Sequence, residues 1–448
     1  MESNLEKYNA LRAKHPIFTY EAFDYQRTSE GLKITFHFNV GNEFSFQPST
    51  VVPCRSFYKW DSLSDEKLSL LVFNIGMVEL VSYWKSVCSP TIVVKPYSLT
   101  SEQIKFWKKL YFNGLSEFFY LNGINASKED FVLIQSDSDK TLAKATFDND
   151  DSFIVPIGGG KDSVVTLELL SQAGKDICPM IINPRGATTE CAAIAGYDRE
   201  AFIEIKRTIH PLLLKLNAEG YLNGHTPFSA MLAFYTLLAS AMTGRKFIAL
   251  SNESSANEST IIGTNVNHQY SKSLEFENDF RRYVKDYISD DFDYFSFLRP
   301  LTELQIAMLF ARNRKYFSVF KSCNVGSKTD VWCGSCAKCL FAYIILSPFI
   351  EPEMLNAIFG KSMLDDESLK LYFAQLIGKE AQKPFECVGT VDEVNSALAL
   401  TIKRFYSSNN RPLLLKDYEL GSAVVPLNTL SDEHNVPEEL LTLLSVEL

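Results

Sequence analysis

The sequence lacks a basic excess, a secretory leader and any low-complexity tract, and each absence excludes a class of protein. In its 448 residues, 44 Lys and Arg stand against 54 Asp and Glu, a net charge of −10. Lys and Arg drive non-specific binding to phosphate backbones by releasing counterions, so a nucleic-acid partner would need a local basic patch, and no basic stripe is evident. With 46% apolar and 22% charged residues, the composition excludes disorder and collagen.

Long hydrophobic runs are also scarce. The N-terminus carries charge from Glu2 onward and has no apolar segment of the secretory type, so we expect a cytoplasmic protein. One uncharged stretch, residues 226–244, is nearly long enough to span a membrane, but Ser, Thr and Tyr dilute it and it stands alone. It predicts a buried helix, and we expect no membrane partner.

Hydrophobic periodicity predicts two kinds of architecture in succession. Residues 18–52 alternate apolar and polar side chains, which indicates antiparallel strands, and residues 68–84 and 104–122 have helical spacing around a β-like segment at 91–97. This part predicts an α+β domain over residues 1–148, with an acidic linker that begins at Phe147.

The hydrophobic pattern changes after the acidic linker. A buried strand at 153–157, a glycine loop, a helix at 163–173 and a strand at 177–183 predict a βαβ unit and a parallel sheet, hence an α/β fold. Further strands are expected at 246–250 and 295–298. From about residue 351 the sequence is mostly helical.

The strongest chemical signal is the run Gly158-Gly159-Gly160-Lys161-Asp162-Ser163 between a predicted strand and a predicted helix. Glycines bring backbone N–H groups close to a ligand, and the helix N-terminus adds positive potential, so the run predicts an anion-binding loop rather than a purely structural turn. Lys161 would add a mobile charge, Ser163 a hydroxyl, and Asp162 a helix cap or a magnesium ligand.

This loop resembles the SGGxDS pyrophosphate (PP) loop of the N-type ATP pyrophosphatases. The resemblance implies an adenine nucleotide alpha-hydrolase-like domain, here over residues 149–348, that binds ATP with Mg²⁺ and releases AMP and diphosphate. Gly158 stands where that superfamily has its first Ser, so one hydroxyl is missing.

Nine cysteines are an odd number, and four of them fall at Cys323, Cys333, Cys336 and Cys339. The spacing disfavours a disulfide framework and suits a closed tetrahedral zinc site with a structural role. Four buried free thiols and a redox or persulfide function are the alternatives. The arrangement also resembles the zinc knuckle of 7-cyano-7-deazaguanine synthase.

Polar loops supply the remaining candidates. The segments 251–257 and 267–273 predict a substrate pocket or, alternatively, solvated surface loops. Arginines are available for an anionic substrate, although each is equally explained as a solvated charge. The substrate-binding candidates are Asn252, Glu253, Asn267, Lys272 and Arg299, and the further arginines are Arg281, Arg282, Arg312 and Arg314.

Proton-transfer candidates are His268, Lys272 and Cys387, because each side chain can exchange a proton near neutral pH once its pKa is tuned. A lone histidine is more often an ordinary hydrogen-bonding residue, and an isolated cysteine beside a glycine turn, as at Cys387, is more often a buried thiol than a catalytic one.

In chain order, the motifs SYWK (82–85), GGGKDS, SNESSAN, NHQYSKS, WCGSCAKC (332–339) and KPFECVG resemble those of the MurL family. That family comprises ATP-dependent epimerases of the peptidoglycan precursor UDP-N-acetylmuramoyl-L-alanyl-L-glutamate. The resemblance spans nearly the whole chain, including the N-terminal domain, which is rich in Phe and Tyr. Residues 349–448 are expected to form a mostly helical C-terminal region. It implies an isomerase that binds ATP at the loop, has Asp162 among its catalytic residues, and acts on a UDP-sugar dipeptide.

Two other functions remain open at this stage. A 7-deazaguanine nitrile synthase or tRNA thiolase would keep the ATP chemistry, although the acidic charge and the large N-terminal domain disfavour it. The other possible function is that of a non-catalytic nucleotide-binding module whose fold is stabilised by zinc. The oligomeric state is not determined by the sequence.

Overall fold

The computed structural model describes residues 3–261, 263–264, 266–419 and 425–446. These residues form eleven strands and fifteen α-helices in an α/β arrangement with both parallel and antiparallel strand pairs. They divide into two compact units, each assembled from three separated segments. Unit 1 comprises 1–154, 203–248 and 266–294, and unit 2 comprises 155–202, 249–265 and 295–448.

The strands and helices follow one another along the chain with these bounds. The strands are β1 (Ile17–Thr28), β2 (Gly31–Val40), β3 (Phe44–Phe46), β4 (Ser49–Pro53), β5 (Thr91–Val94), β6 (Leu133–Ser136), β7 (Asp150–Pro156), β8 (Ile177–Ile182), β9 (Ile203–Thr208), β10 (Arg245–Leu250) and β11 (Asp293–Ser296). The helices are α1 (Asn4–Lys14), α2 (Asp65–Trp84), α3 (Ser101–Gly114), α4 (Ser116–Leu121), α5 (Lys161–Gln172), α6 (Gly186–Ile194), α7 (Pro211–Ala218), α8 (Phe228–Thr243), α9 (Leu274–Tyr287), α10 (Glu303–Ala311), α11 (Ala337–Leu346), α12 (Pro352–Phe359), α13 (Lys370–Leu376), α14 (Val391–Phe405) and α15 (Glu438–Val446).

Unit 1 contains a mixed sheet in the order β9-β4-β2-β1-β5-β6. The predicted antiparallel strands are present: β1 pairs with β2, with Phe18 opposite Val40, and β2 pairs with β4. β5 and β6 extend the sheet in parallel from β1, and β9 pairs antiparallel with β4. Alternating residues of β2 are fully buried because the side-chain period of a strand is two, which places one face on the core.

Helix α2 forms the centre of the unit 1 core. It packs on β1 and on α8, and Gly76 leaves the space that the Tyr20 hydroxyl fills, since a Cβ there would lie 2.0 Å from that oxygen. By length and composition α2 is the one helix in the described part of the chain that could cross a membrane, but 89% of its apolar window is buried in the protein. That burial is typical of a core helix, as it is for α8, the predicted buried helix.

The predicted helix at 104–122 is instead two helices. α3 ends at Gly114 and α4 begins at Ser116. A Cβ on Gly114 would lie 2.7 Å from the Pro227 ring, so the helical spacing is interrupted where another segment approaches the backbone closely. The hydrophobic periodicity of the sequence does not indicate such a contact between distant segments.

Unit 2 begins inside β7, the first strand of the predicted strand–loop–helix–strand segment. The first residues of β7 and β10, which pair in parallel, belong to unit 1. Within unit 2, the Ile157 amide beyond β7 donates to the Met180 carbonyl in β8 at 2.9 Å. α10 packs against α5 and α11, and α11 packs against α14. From residue 351 the described residues contain helices and no strand, as predicted, whereas β11 starts two residues before the predicted strand.

The units and the sequence-based domains divide the chain differently. The sequence predicts consecutive domains with boundaries near residues 148 and 348, whereas each unit gathers segments from distant parts of the chain, with unit boundaries inside β7 and β10. Strand pairing between distant segments decides such an assembly, and local patterns do not encode it. The consecutive domains stay a prediction.

Candidate functional site

The glycine loop lies between β7 and α5, as predicted. Gly160 is the N-cap of α5 in an extended conformation, and Gly159 has φ +80°. A Cβ on Gly159 would lie 2.9 Å from the Ala187 carbonyl carbon, whereas a Cβ on Gly158 would meet nothing within 4 Å. The loop therefore has open space at Gly158 beside the positive end of a twelve-residue helix, where anions are stabilised.

Lys161 is buried at the start of α5. Its Nζ forms ion pairs with Asp162 Oδ1 and Glu303 Oε2. Burial lowers the pKa of Lys161, but the carboxylates of Asp162, Glu303 and Glu253 outweigh burial and raise it above the ordinary value. The ammonium is thus fixed and charged, in contrast to the mobile charge expected from sequence, and Asp162 pairs with it instead of capping the helix.

Glu303 comes from the first residue of α10 and was not predicted from the sequence. Burial raises its pKa, while Lys161 opposes this shift. Its backbone amide donates to Glu393 Oε1 at 2.7 Å, so a third buried carboxyl group lies behind the pair. In the sequence, the capping-box pattern of Thr302 and Gln305 indicates that a helix starts here. It does not indicate which lysine the side chain of Glu303 contacts.

The predicted polar segment after β10 lies beside α5. Ser251 Oγ contacts Thr166 Oγ1 at 2.8 Å, and Asn252 Nδ2 donates to Ser296 Oγ at 3.0 Å. Arg299 is buried and donates to the backbone carbonyl of Glu253. Arg299 therefore fixes the conformation of this segment.

The four predicted metal-ligating cysteines converge. Neighbouring Sγ atoms lie 3.5–3.9 Å apart, joining Cys336 to Cys323 and Cys339, and Cys333 to Cys339. A tetrahedral zinc ion with Zn–S bonds of about 2.3 Å places its sulfurs about 3.8 Å apart, so this donor set fits zinc. Hydrogen bonding with Cys339 lowers the pKa of Cys336 although burial opposes it, while burial raises the pKa of Cys323 and the shared hydrogen bond raises that of Cys339. The cluster therefore favours one thiolate, at Cys336, before a metal ion binds.

All nine cysteines fall within the described residues, and none of them is joined to another in a disulfide bond there. Cys387 is half-buried in the loop before α14, in unit 2. In the same loop, the buried Lys383 pairs with Glu258.

Three predicted residues, Asn267, His268 and Lys272, belong to unit 1. His268 Nδ1 contacts Glu117 Oε2 in α4, and the His225 ring lies 4.5 Å from the His268 ring, centroid to centroid. Neither Glu117 nor His225 was predicted, because isolated polar residues in separate segments carry no local signal.

The remaining arginines differ in their surroundings. Arg281 donates to Asp293 at 2.6 Å, so its charge is balanced within unit 1. Arg282 lines a cavity of about 530 Å³ whose lysines face a similar number of carboxylates. Arg312 and Arg314 are exposed. None of these surroundings singles out a diphosphate site.

Comparison with known proteins covers most of the chain. The family model described as the MurL N-terminal domain matches residues 9–297, and the model described as the MurL C-terminal domain matches residues 318–416. A UDP-N-acetyl-alpha-D-muramoyl-L-alanyl-L-glutamate epimerase of Xanthomonas oryzae is 34% identical over 385 residues, covering 82% of this chain and 83% of the relative.

Two further relatives carry the same name. The protein of Salinispora tropica is 34% identical over 75% of each chain, and that of a Micromonospora species is 35% identical over 73% of each chain. Since both family models and relatives above 30% identity extend over most of the sequence, the chain belongs to the MurL family.

Proposed function

We propose that this chain is the ATP-dependent epimerase that inverts the terminal L-Glu of UDP-MurNAc-L-Ala-L-Glu to D-Glu, a step of peptidoglycan precursor synthesis. The observation that carries the proposal is membership of the MurL family over both halves of the chain, with relatives named for this substrate. The substrate is a small molecule, and we propose that the reaction takes place in the cytoplasm.

The chemistry explains why an epimerase would consume ATP. An ionised α-carboxylate is a poor activator of its α-proton, because deprotonation places a second negative charge beside the first. Transfer of AMP from ATP to that carboxylate displaces diphosphate and forms a mixed anhydride whose carbonyl delocalises the carbanion. A base then removes the α-proton, an acid returns one to the opposite face, and water cleaves the anhydride to AMP and the free α-carboxylate. Activation of the γ-carboxylate would not acidify the stereocentre.

We assign ATP phosphate binding to the loop Gly158–Ser163 within a PP-loop fold. Support comes from the open space at Gly158, the helix N-terminus and the Ser163 hydroxyl near the loop. Asp162 and the buried Glu253 are acidic groups beside the loop suited to Mg²⁺, which would neutralise phosphate charge. The proposed substrate-binding residues stay Asn252, Glu253, Asn267, Lys272 and Arg299.

The proton-transfer groups are proposed among Cys387, His268 and Lys272. Cys387→Ser keeps the side-chain shape but provides a much weaker base than a thiolate. If Cys387 transfers the proton, the variant will still release diphosphate while inversion falls steeply. Inversion at the wild-type rate would remove Cys387 from this role.

The test of the whole proposal is a product analysis in deuterated water with ATP, Mg²⁺ and UDP-MurNAc-L-Ala-L-Glu. We expect AMP and diphosphate by chromatography, and D-Glu with deuterium at Cα by mass spectrometry. Asp162→Ala and Gly160→Val should abolish diphosphate release, the second because it crowds N–H groups that contact phosphate. ADP as product, or a protiated Cα in wild type, would contradict the mechanism.

A further inference from the structure

Three consecutive residues of unit 2 join the glycine loop to the four-cysteine cluster, and both of these also belong to unit 2. The Lys321 amide donates to the Gly159 carbonyl at 2.8 Å, and Cys323 contributes its Sγ atom to the cluster. Between them, Ser322 lies against the loop, since a Cβ built on Gly160 would be 3.4 Å from Ser322 Cβ. The loop and the proposed metal site are therefore in contact through one short piece of backbone.

The hydrogen bond at Gly159 fixes more than one atom of the loop. The Gly159 carbonyl and the Gly160 N–H belong to the same planar trans peptide group, in which the two bonds point in opposite directions. By holding the carbonyl, the Lys321 amide also fixes the direction of the Gly160 N–H. That N–H is one of the loop donors that we assign to ATP phosphate.

The segment that carries the Lys321 amide has few supports of its own. Residues 321–331, all of which the structure describes, contain one 3₁₀ turn, Val325–Lys328, and neither an α-helix nor a strand. Val325 is 68% exposed, so this turn is not packed into the core at that position. Because backbone with few buried contacts opens easily, the position of the Lys321 amide depends on how firmly Cys323 is held.

Two other members of the cluster are firmly held by a buried helix. Cys336 is the N-cap of α11, where its Sγ atom accepts from the Cys339 amide at 3.4 Å, and α11 packs against α10 and α14. A zinc ion bound by the cluster would tie Cys323 to this helix through metal–sulfur bonds. Without the ion, the link consists of sulfur contacts, which are weak because sulfur is a poor donor and acceptor.

Aromatic contacts beside the cluster do not involve the cysteines. The Phe320 ring lies 5.3 Å from Trp332 and 4.5 Å from Phe310, and the Trp332 ring lies 4.6 Å from Phe359, centroid to centroid. Such packing stabilises unit 2 whether or not a metal ion is bound. We therefore expect loss of the ion to loosen the segment after Phe320 before it unfolds the unit.

We propose that a metal ion in the four-cysteine cluster holds the glycine loop in its nucleotide-binding conformation, so that metal occupancy regulates the affinity for ATP. The inference rests on the proposed assignment of ATP phosphates to this loop. Lys321 acts through its backbone amide and is a positioning residue. Coupling between two sites is reciprocal, so ATP must raise the affinity for the metal ion by the same factor by which the ion raises the affinity for ATP.

The first test measures ATP binding by wild-type protein with and without zinc. Zinc is removed with a chelator, the chelator is removed by gel filtration, and ATP with Mg²⁺ is titrated calorimetrically at 20 °C. We expect the Kd for ATP to rise about 10-fold or more in the metal-free protein, and to recover after one equivalent of zinc is restored. In the converse titration, ATP with excess Mg²⁺ should tighten zinc binding, measured against a chromophoric chelator, by the same factor.

Hydrogen exchange measured by mass spectrometry locates the effect without nucleotide. In metal-free protein, peptides that cover residues 158–163 and 318–327 should lose protection, whereas those from α14 should keep it. The variant Lys321→Pro retains all four cysteines but lacks the amide that holds Gly159. It should contain one zinc per chain and still bind ATP about 10-fold or more weakly.

The matched control is Thr401→Val, which destabilises the same unit away from the loop. Thr401 Oγ1 contacts Ser347 Oγ at 2.6 Å, where α14 packs against the end of α11. Its loss should lower the melting temperature while the Kd for ATP stays within twofold of wild type. Weaker ATP binding in this variant would show that general destabilisation, and not the segment at Lys321, explains the effect of metal removal.

Three results would overturn the inference: metal-free wild type that binds ATP within threefold of the zinc-loaded protein, protein that binds ATP but takes up no zinc, or equal loss of protection in the loop and in α14. Failure of the proposed function looks different, because zinc-loaded wild type would then bind no ATP. Melting curves of the metal-free protein and of Lys321→Pro establish that both are folded at 20 °C.

Discussion

Gly158 and Gly159 are neighbours with opposite structural demands, and they provide the sharpest residue-scale prediction. Gly159→Ala would place a Cβ at φ +80° and 2.9 Å from the Ala187 carbonyl carbon, so we expect a loss of about 2–4 kcal/mol in unfolding free energy. Gly158→Ala meets nothing within 4 Å and should change stability by less than about 1 kcal/mol. Chemical denaturation measures both.

The same pair separates folding from ligand binding. If ATP phosphates occupy the open space at Gly158, Gly158→Ala should weaken ATP binding while it leaves the melting temperature unchanged. Equal destabilisation by the two substitutions would contradict the described loop conformation.

His225 predicts an acid sensitivity with a defined sign. Burial lowers its folded-state pKa from 6.5 to about 4, so between these values the unfolded chain binds a proton that the folded chain does not. Stability from this residue is present above pH 6.5 and is lost as the pH falls toward 4. Relative to His225→Gln, wild type should lose on the order of 2–3 kcal/mol between pH 7 and 4.5. Parallel urea titrations of the two proteins measure the difference, and coincident pH profiles would refute it.

At the scale of elements, Glu393 joins two helix N-termini in unit 2. Its carboxylate accepts from the Thr390 amide at 2.7 Å in the capping box of α14 and from the Glu303 amide at 2.7 Å at the start of α10. Glu393→Ala leaves buried N–H groups without this acceptor, so we expect a loss of about 2–4 kcal/mol. The control is Glu6→Ala, in the exposed capping box of α1, where water can replace the lost acceptor and the loss of stability should be much smaller.

The four-cysteine cluster predicts a metal dependence of unit 2. We expect one zinc per chain by elemental analysis, and Cys339→Ser or a strong chelator should lower the melting temperature by about 5–10 °C, since metal binding and folding are coupled in closed sites. Cys54→Ser, which alters a free thiol outside the cluster, serves as the control. Metal-free protein with unchanged melting behaviour would exclude the zinc site.

At the scale of the whole molecule, the discontinuous units predict the result of truncation. α11 packs against α14, Ser347 Oγ contacts Thr401 Oγ1 at 2.6 Å, and Arg404 donates to the Pro348 carbonyl at 2.8 Å. A chain that ends at residue 348 would expose the apolar face of α11. Uncovering three or four apolar side chains costs about 5–10 kcal/mol, comparable to the total stability of a domain.

We therefore expect the truncated chain to aggregate, and co-expression of residues 349–448 as a separate fragment should restore part of its solubility. Sedimentation of cell extracts measures both. A soluble, cooperatively melting truncation would instead support a domain boundary near residue 348.

The predictable part of the fold followed from local pattern. Alternation gave the strands around Phe18 and Val40, and helical spacing gave α2 and α8. The split between α3 and α4 was not predictable, because it occurs where the distant Pro227 approaches Gly114. The short strand β3 lies within the predicted alternating region 18–52, but its separation from β4 was not predicted, because the alternation continues with little change across both strands.

The sequence by itself determined the chemical inventory: a glycine loop before a helix, four cysteines at zinc spacing, and the motifs of the MurL family. Only the tertiary structure decided which groups meet. Lys161 is paired with Glu303, 142 residues away, and His268 with Glu117, 151 residues away. Local interactions fix turns, caps and the spacing of ligands within one segment. The partner of a buried charge depends on how distant elements pack, and burial then makes that partner necessary, since an unpaired charge in the interior is costly.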